Sequence, residues 1–150
     1  MAISKEISIL FSITFFAGLS VSLIAPILPS IRDEFGLSYA AVSFVVALFG
    51  LARLLTALPV GRLYNKLNTK TLLLSGIFLV FLGSFVAVFS RSFLEFLASQ
   101  IIIGVGFSIC ITTILISLSF ISTKSNRGKI LGLNTMARSS AAIAAPVMAG

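Results

Sequence analysis

The 150-residue chain is 58% hydrophobic and 10% charged, with a mean hydropathy of +1.16. Soluble domains run at roughly 45–50% apolar with about a quarter charged, so a soluble fold is excluded and the chain belongs in a bilayer. The net charge of +7 comes from Lys and Arg scattered between apolar runs, not gathered on one face, which excludes a nucleic-acid surface and reads as a set of topology signals.

Taken in order, the sequence predicts an all-α, polytopic membrane helix bundle of about five transmembrane helices. The first apolar run, residues 7–30, is long enough to cross a ~30 Å hydrocarbon core at ~1.5 Å per residue. It exceeds the apolar region of about 7–15 residues in a cleavable signal peptide, and Pro26 and Pro29 mark where the helix ends or bends. Residues 32–38 form an outer loop with both signs of charge, and a second span covers 40–60. A basic loop at 61–70 leads to a third span at 71–89, a short turn at 90–92 and a long fourth span at 93–121. After a loop at 124–129, a fifth span begins at 130 and the chain stops inside it at 150, so a fragment of a larger protein is expected. Lys5, Arg62, Lys66, Lys70, Lys124, Arg127 and Lys129 collect at one end of these spans. Arg32 and Arg91 lie at the other, beside Asp33, Glu34 and Glu95. Because Lys and Arg are retained on the cytoplasmic side during insertion, the N-terminus and both basic loops are expected in the cytoplasm of a multi-pass cell-membrane protein.

Chemistry inside the spans is carried by few residues. Arg53 and Arg138 lie within apolar runs, where a charge costs a few kcal/mol by insertion scales and needs a partner or a wet cavity. Arg53 shares a helix face with Gly50, Ala57 and Gly61, so it is either a charge on a substrate pathway or a structural Arg snorkelling to the headgroups. Arg138 sits nearer mid-depth and points to a cavity role. No Asp or Glu lies inside a span, so a carboxylate partner or proton carrier comes from outside this chain or from Glu95. On the fourth span Ser99, Gly106, Cys110, Thr113 and Ser117 fall within about 60° of one another, a stripe suited to close helix packing. On the fifth, Ala137, Ala141, Ala145 and Ala149 repeat every four residues beside Pro146, a small-residue ridge that permits near backbone contact. With one Cys and no His there is no disulfide framework or metal cluster. General acid–base or nucleophilic pairs are absent as well, so no cofactor and no enzyme activity are expected.

Three of these stretches resemble motifs of the major facilitator superfamily, its drug-efflux and antiporter branch especially. Gly61, Lys66 and Lys70 match the loop between the second and third helices, with Asn65 where the family has Asp, Asn68 where it has Gly and Thr69 where it has Arg or Lys. Gly104 and Gly106 match the fourth-helix motif, with Gln100 in the position of its Arg. Gly132, Ala141, Ala145, Pro146, Ala149 and Gly150 follow the fifth-helix antiporter motif, with Ala replacing Gly at three positions. The residues before 36, from Pro26 onward, are similar to the end of the first helix in many facilitator exporters. The resemblance implies the N-terminal part of a secondary transporter whose first and fourth helices line a cavity and whose basic loop helps control the inward-to-outward transition. It implies export of small lipophilic or amphipathic compounds, the proton as coupling ion, and the C-terminal half of the same transporter as partner. Arg138, Arg53 and Gln100 are the candidate substrate or coupling residues, and close packing is expected at Gly61. The alternatives are a facilitator moving small polar metabolites such as sugars or organic acids, or a non-transporting membrane scaffold.

The orientation is testable by scanning cysteines in the full-length protein with a membrane-impermeant thiol reagent. Cysteines at Asn65 and Ser125 are expected to react only from the cytoplasmic side and one at Ser38 from outside. Reaction at Asn65 in intact cells overturns the assignment.

Overall fold

The computed structural model describes residues 2–149, with side chains from residue 5 to residue 148. Among these residues there are six helical segments and no strand: α1 (Ala2–Ser22), α2 (Ile24–Glu34), α3 (Tyr39–Leu63), α4 (Thr69–Phe89), α5 (Phe93–Ile121) and α6 (Arg127–Ala149). In hydrocarbon nothing but the chain itself can satisfy a backbone N–H or C=O, which leaves helices as the form for such apolar runs. Four units are long and apolar enough to cross a bilayer: α1 with α2 over Lys5–Glu34, then α3, α4 and α5. The fifth, α6, carries Arg127, Lys129, Asn134 and Arg138 and is the polar member of the set.

The first segment is not one continuous helix. It breaks at Leu23, three residues before Pro26. Pro26 has no N–H to give the Ser22 carbonyl and its ring crowds that carbonyl, so the chain turns there and restarts with Pro26 in the first turn of α2. The expected outer loop at 32–38 is shorter, because Arg32, Asp33 and Glu34 are helical. The chain then reverses through Gly36 at φ +60° and restarts at the N-cap Ser38, whose hydroxyl accepts from Ala41 N at 3.2 Å. Gly61 and Arg62 likewise belong to the last turn of α3, and Arg127, Gly128 and Lys129 to the first turn of α6, not to loops. The fourth helix occupies Phe93–Ile121 as read from the sequence.

The bundle is organised around α5, which packs most extensively on α4 and then on α3, while α1 pairs with α6. Lipid tails are as apolar as Leu, so helices associate by close contact, and that contact is made where side chains are missing. A Cβ on Gly76 of α4 would lie 2.6 Å from Cys110 Sγ and 2.9 Å from the Gly106 carbonyl oxygen; one on Gly106 would lie 2.7 Å from the Gly76 carbonyl oxygen. Gly83 meets Ile103 and the Ser99 carbonyl in the same way. Part of the polar stripe of α5 thus lies on the seam with α4, at Ser99 and Cys110, and Thr113 and Ser117 farther along the stripe are buried as well. Gly104 points the other way, to the Phe49 carbonyl oxygen (2.9 Å) and Ala52 Cβ (3.1 Å) of α3. At the end that carries the basic loops, Leu10, Leu73, Ile114 and Leu118 join α1, α4 and α5 in one apolar cluster.

Substitution should separate these glycines. Gly106→Val, which drives a branched side chain into the α4 backbone, is expected to destabilise the full-length protein by about 1–3 kcal/mol. Gly132→Ala, where nothing lies within 4 Å of the added Cβ, is expected to be neutral. Unfolding in detergent followed by far-UV circular dichroism measures both, and equal stability of the two variants refutes the seam.

Candidate functional site

Arg53 and Arg138 line one cavity of about 400 Å³ between α3, α5 and α6, together with Gly50, Leu54, Ala57, Ser108, Ile111, Thr112 and Leu115. Arg53 stands ten residues before the end of α3 and Arg138 eleven after the start of α6. At 1.5 Å per residue each is about 15 Å from the basic end of its helix, half of a ~30 Å core. Gly50, Arg53 and Ala57 share the face predicted for them, and it opens on this cavity.

The partner of Arg53 is aromatic. Its guanidinium carbon lies 4.9 Å from the ring centre of Phe107 on α5 and 5.7 Å from that of Phe49 on its own helix, and the two rings are 6.1 Å apart. A guanidinium stacked on a ring face keeps its in-plane N–H donors free for a ligand. The Arg53 backbone is fixed by Ser108, whose hydroxyl donates to its carbonyl at 2.8 Å. Arg138 leans along α1: its Cγ lies 3.3 Å from where a Gly18 Cβ would stand. Among the described residues the one ion pair is Arg32 with Asp33, at 3.1 Å, so neither Arg53 nor Arg138 has a carboxylate there.

Gln100 is not part of this cavity. It is buried, its Nε2 donates to Ser99 Oγ at 3.4 Å, and it faces the α1–α2 break with Val21, Ile24, Leu28 and Phe49. Glu95 caps α5: its carboxylate accepts from Arg91 N at 2.7 Å while Ser92 Oγ accepts from Glu95 N at 3.3 Å, a capping-box arrangement at the exposed helix start. Glu95 is therefore committed to the helix end and gives the arginines no counter-charge.

In the basic loop Asn65, Lys66 and Lys70 are exposed, and Gly61 has nothing within 4 Å of a Cβ, so the close packing expected there is absent among the described residues. Asn68 occupies its position as the N-cap of α4, accepting from Lys70 N at 3.2 Å with φ −67°, a conformation that requires no glycine. Tyr64, which the motif left unassigned, holds the loop to α5. Its hydroxyl is 3.0 Å from Ser117 Oγ, accepts from Thr69 Oγ1 at 3.3 Å, and its ring stacks on Phe120. As one of only two Tyr in the chain, set in a polar turn, it was visible in the sequence.

The fifth-helix motif divides. Ala141 and Ala145 are fully buried, with Ala141 against Gly18 of α1, while Gly132 and Pro146 are exposed; Gly150 lies outside the described residues. The sequence reading missed the polar pair on this seam. The Thr14 hydroxyl donates to Asn134 Oδ1 at 2.8 Å, with the Leu10 carbonyl oxygen at 3.0 Å as a second acceptor, and both side chains are buried. Leu10, Thr14 and Gly18 at intervals of four facing Asn134, Arg138 and Ala141 was the available signal.

A sequence profile of the Major Facilitator Superfamily matches residues 10–150. Multidrug resistance protein 1 of Bacillus subtilis (strain 168) is 25% identical over 144 residues, covering 96% of this chain and 37% of that protein. Quinolone resistance protein NorA of Staphylococcus aureus (strain Mu50) is 24% identical over 147 residues, 98% of this chain and 38% of that protein. The arabinose-proton symporter of Escherichia coli (strain K12) is 31% identical over 116 residues, 77% of this chain and 25% of that protein. The chain therefore spans between a quarter and two fifths of the length of these relatives.

Thr14→Val keeps the shape of the α1–α6 seam but strands the Asn134 amide, and is expected to destabilise the full-length protein by about 1–2 kcal/mol. Adding Asn134→Leu should recover part of that loss, since both polar partners are then gone. A double-mutant cycle on unfolding in detergent checks this, and simple additivity rules the pair out as a coupled unit.

Proposed function

The chain belongs to the Major Facilitator Superfamily, a family of multi-pass membrane transporters and not of enzymes, and from that premise we propose that the full-length protein containing it exports small lipophilic or amphipathic compounds across the cell membrane, driven by a proton gradient. The observation that carries the reading is the cavity at mid-depth between α3, α5 and α6, walled by Leu54, Ile111 and Leu115 and furnished with Arg53 and Arg138. Its volume is within the range of about 300–1,000 Å³ of ligand pockets, and its lining joins two cations and the hydroxyls of Ser108 and Thr112 to an apolar wall. The two drug-resistance relatives align over nearly the whole chain, which favours export. In this reading a second helical half closes over the cavity, and transport proceeds by rocking of the halves around a midplane site. The basic loop, tied to α5 through Tyr64 and Ser117, lies at the cytoplasmic end. Gln100 holds no titratable proton, so the proton carrier is supplied from outside the described cavity.

A second reading, uptake or export of a polar metabolite, is supported by the identity to a sugar-proton symporter. Accumulation of a panel of dyes, antibiotics and labelled pentoses in cells expressing the full-length protein separates the two. Lowered accumulation of amphipathic compounds, restored by a protonophore, is expected. Arg138→Ala should reduce that efflux about tenfold or more with normal membrane abundance, and Arg138→Lys should retain part of it. Protonophore-sensitive pentose uptake with no efflux of any compound replaces the export reading with the second.

A further inference from the structure

The cavity between α3, α5 and α6 contains two positive charges and no negative one. Of the acidic residues in the chain, Glu6, Asp33, Glu34 and Glu95 all stand at helix ends; Asp33 is paired with Arg32 and Glu95 caps α5. Two like charges facing one space at the middle of a bilayer repel each other, and the low dielectric strengthens that repulsion. Helix packing does not relieve it. Arg53 is covered on its face by Phe107 and Phe49, and among the described residues neither guanidinium has an ion-pair partner. Thr112 adds a hydroxyl to the same cavity, and Leu54 and Leu115 add apolar wall.

Resting on the transport reading above, we infer that the compound bound here is an amphipathic organic anion. Its carboxylate, sulfonate or phosphate group sits between Arg53 and Arg138, and its apolar body lies against the leucines and Ile111. Planar guanidiniums present paired N–H donors that match such oxyanions. The bound anion also offsets the repulsion between the two arginines, so charge on the ligand is worth more here than at a site with one cation. A purely cationic compound is disfavoured by the same two charges. The rival source of negative charge is a carboxylate from another segment of the full-length protein, which would make the arginines structural.

The test is binding to the purified full-length protein in detergent, by equilibrium dialysis, of naphthoate, naphthalenesulfonate and naphthyl phosphate, beside three neutral counterparts: the methyl ester of the first, the N,N-dimethyl sulfonamide of the second and the dimethyl ester of the third, called the esters below. At least one anion is expected to bind about ten- to hundredfold more tightly than its ester. Arg53→Gln and Arg138→Gln should each reduce that preference to within about twofold through weaker binding of the anion, without lowering the melting temperature. Arg→Lys at either position, which keeps the charge, should preserve part of the preference and serves where the Gln variant does not fold. Equal binding of acid and ester, or no binding by any of the three pairs, overturns the inference. So does a loss of stability in the Gln variants with acid and ester affected alike, which identifies an internal carboxylate as the partner. Energised efflux is read separately in vesicles: its absence with the anion preference intact removes the export reading and leaves the site, whereas efflux with no anion preference does the reverse.

Discussion

The structure depends on the approach of α4 and α5 to backbone contact. Gly76 and Gly83 on one helix and Gly106 on the other leave no room for a Cβ, and in lipid this is the kind of contact that holds helices together, because burying one apolar side chain against another gains nothing over burying it in acyl chains. With α5 fixed on that side, Gly104, two residues from Gly106 and roughly 200° around the helix, brings α3 in on the opposite side. The same seam then places the charge. Gly104 meets Phe49 and Ala52, Ser108 one turn on holds the Arg53 carbonyl, and Phe107 between them receives the guanidinium. The arginine's position follows from glycines that never touch it.

What could be read from the sequence follows from how strongly each physical signal is written into it. The helices are legible because apolar length is the whole requirement for a span, and the boundaries slipped where charged residues continue a helix into the interface, as Arg32 to Glu34 and Arg127 to Lys129 do. The break at Leu23 was signalled by Pro26, but its place, one turn earlier, depends on which carbonyl the proline fails to serve. Arg53 and Arg138 stood out because charge in an apolar run is rare; their convergence on one cavity depends on the pairing of α1 with α6 and of α3 with α5, which periodicity does not specify. Gln100 matched a motif position yet faces a different space, lined by Val21, Ile24 and Phe49 and not by the arginines. Thr14 and Asn134 passed unnoticed because a single hydroxyl and a single amide carry no pattern until the two helices are laid together.

The way the helices pair also bears on how a cavity at this position could work. Helices α3, α4 and α5 form one closely packed block and α1 with α6 another, and α5 touches α1 and α6 more thinly than it touches α3 and α4. The cavity lies between the blocks: Arg53, Ser108 and Thr112 belong to the first and Arg138 to the second. Each arginine is therefore carried by a different unit, and the separation of their charges changes whenever the units move relative to one another. Within each block movement is resisted by backbone contact at glycine and by the buried Thr14–Asn134 bond; between them there is mainly side-chain packing, which can readjust at lower cost. Repulsion between the two guanidiniums favours a wider spacing; under the proposed anion reading an oxyanion held by both would favour a narrower one, which would link occupancy and spacing through the same pair of charges. A ligand that bridged the blocks in this way would act on their relative position without touching the loop at residues 64–68, which does not line the cavity and which Tyr64 ties to Ser117 and Phe120 of the first block.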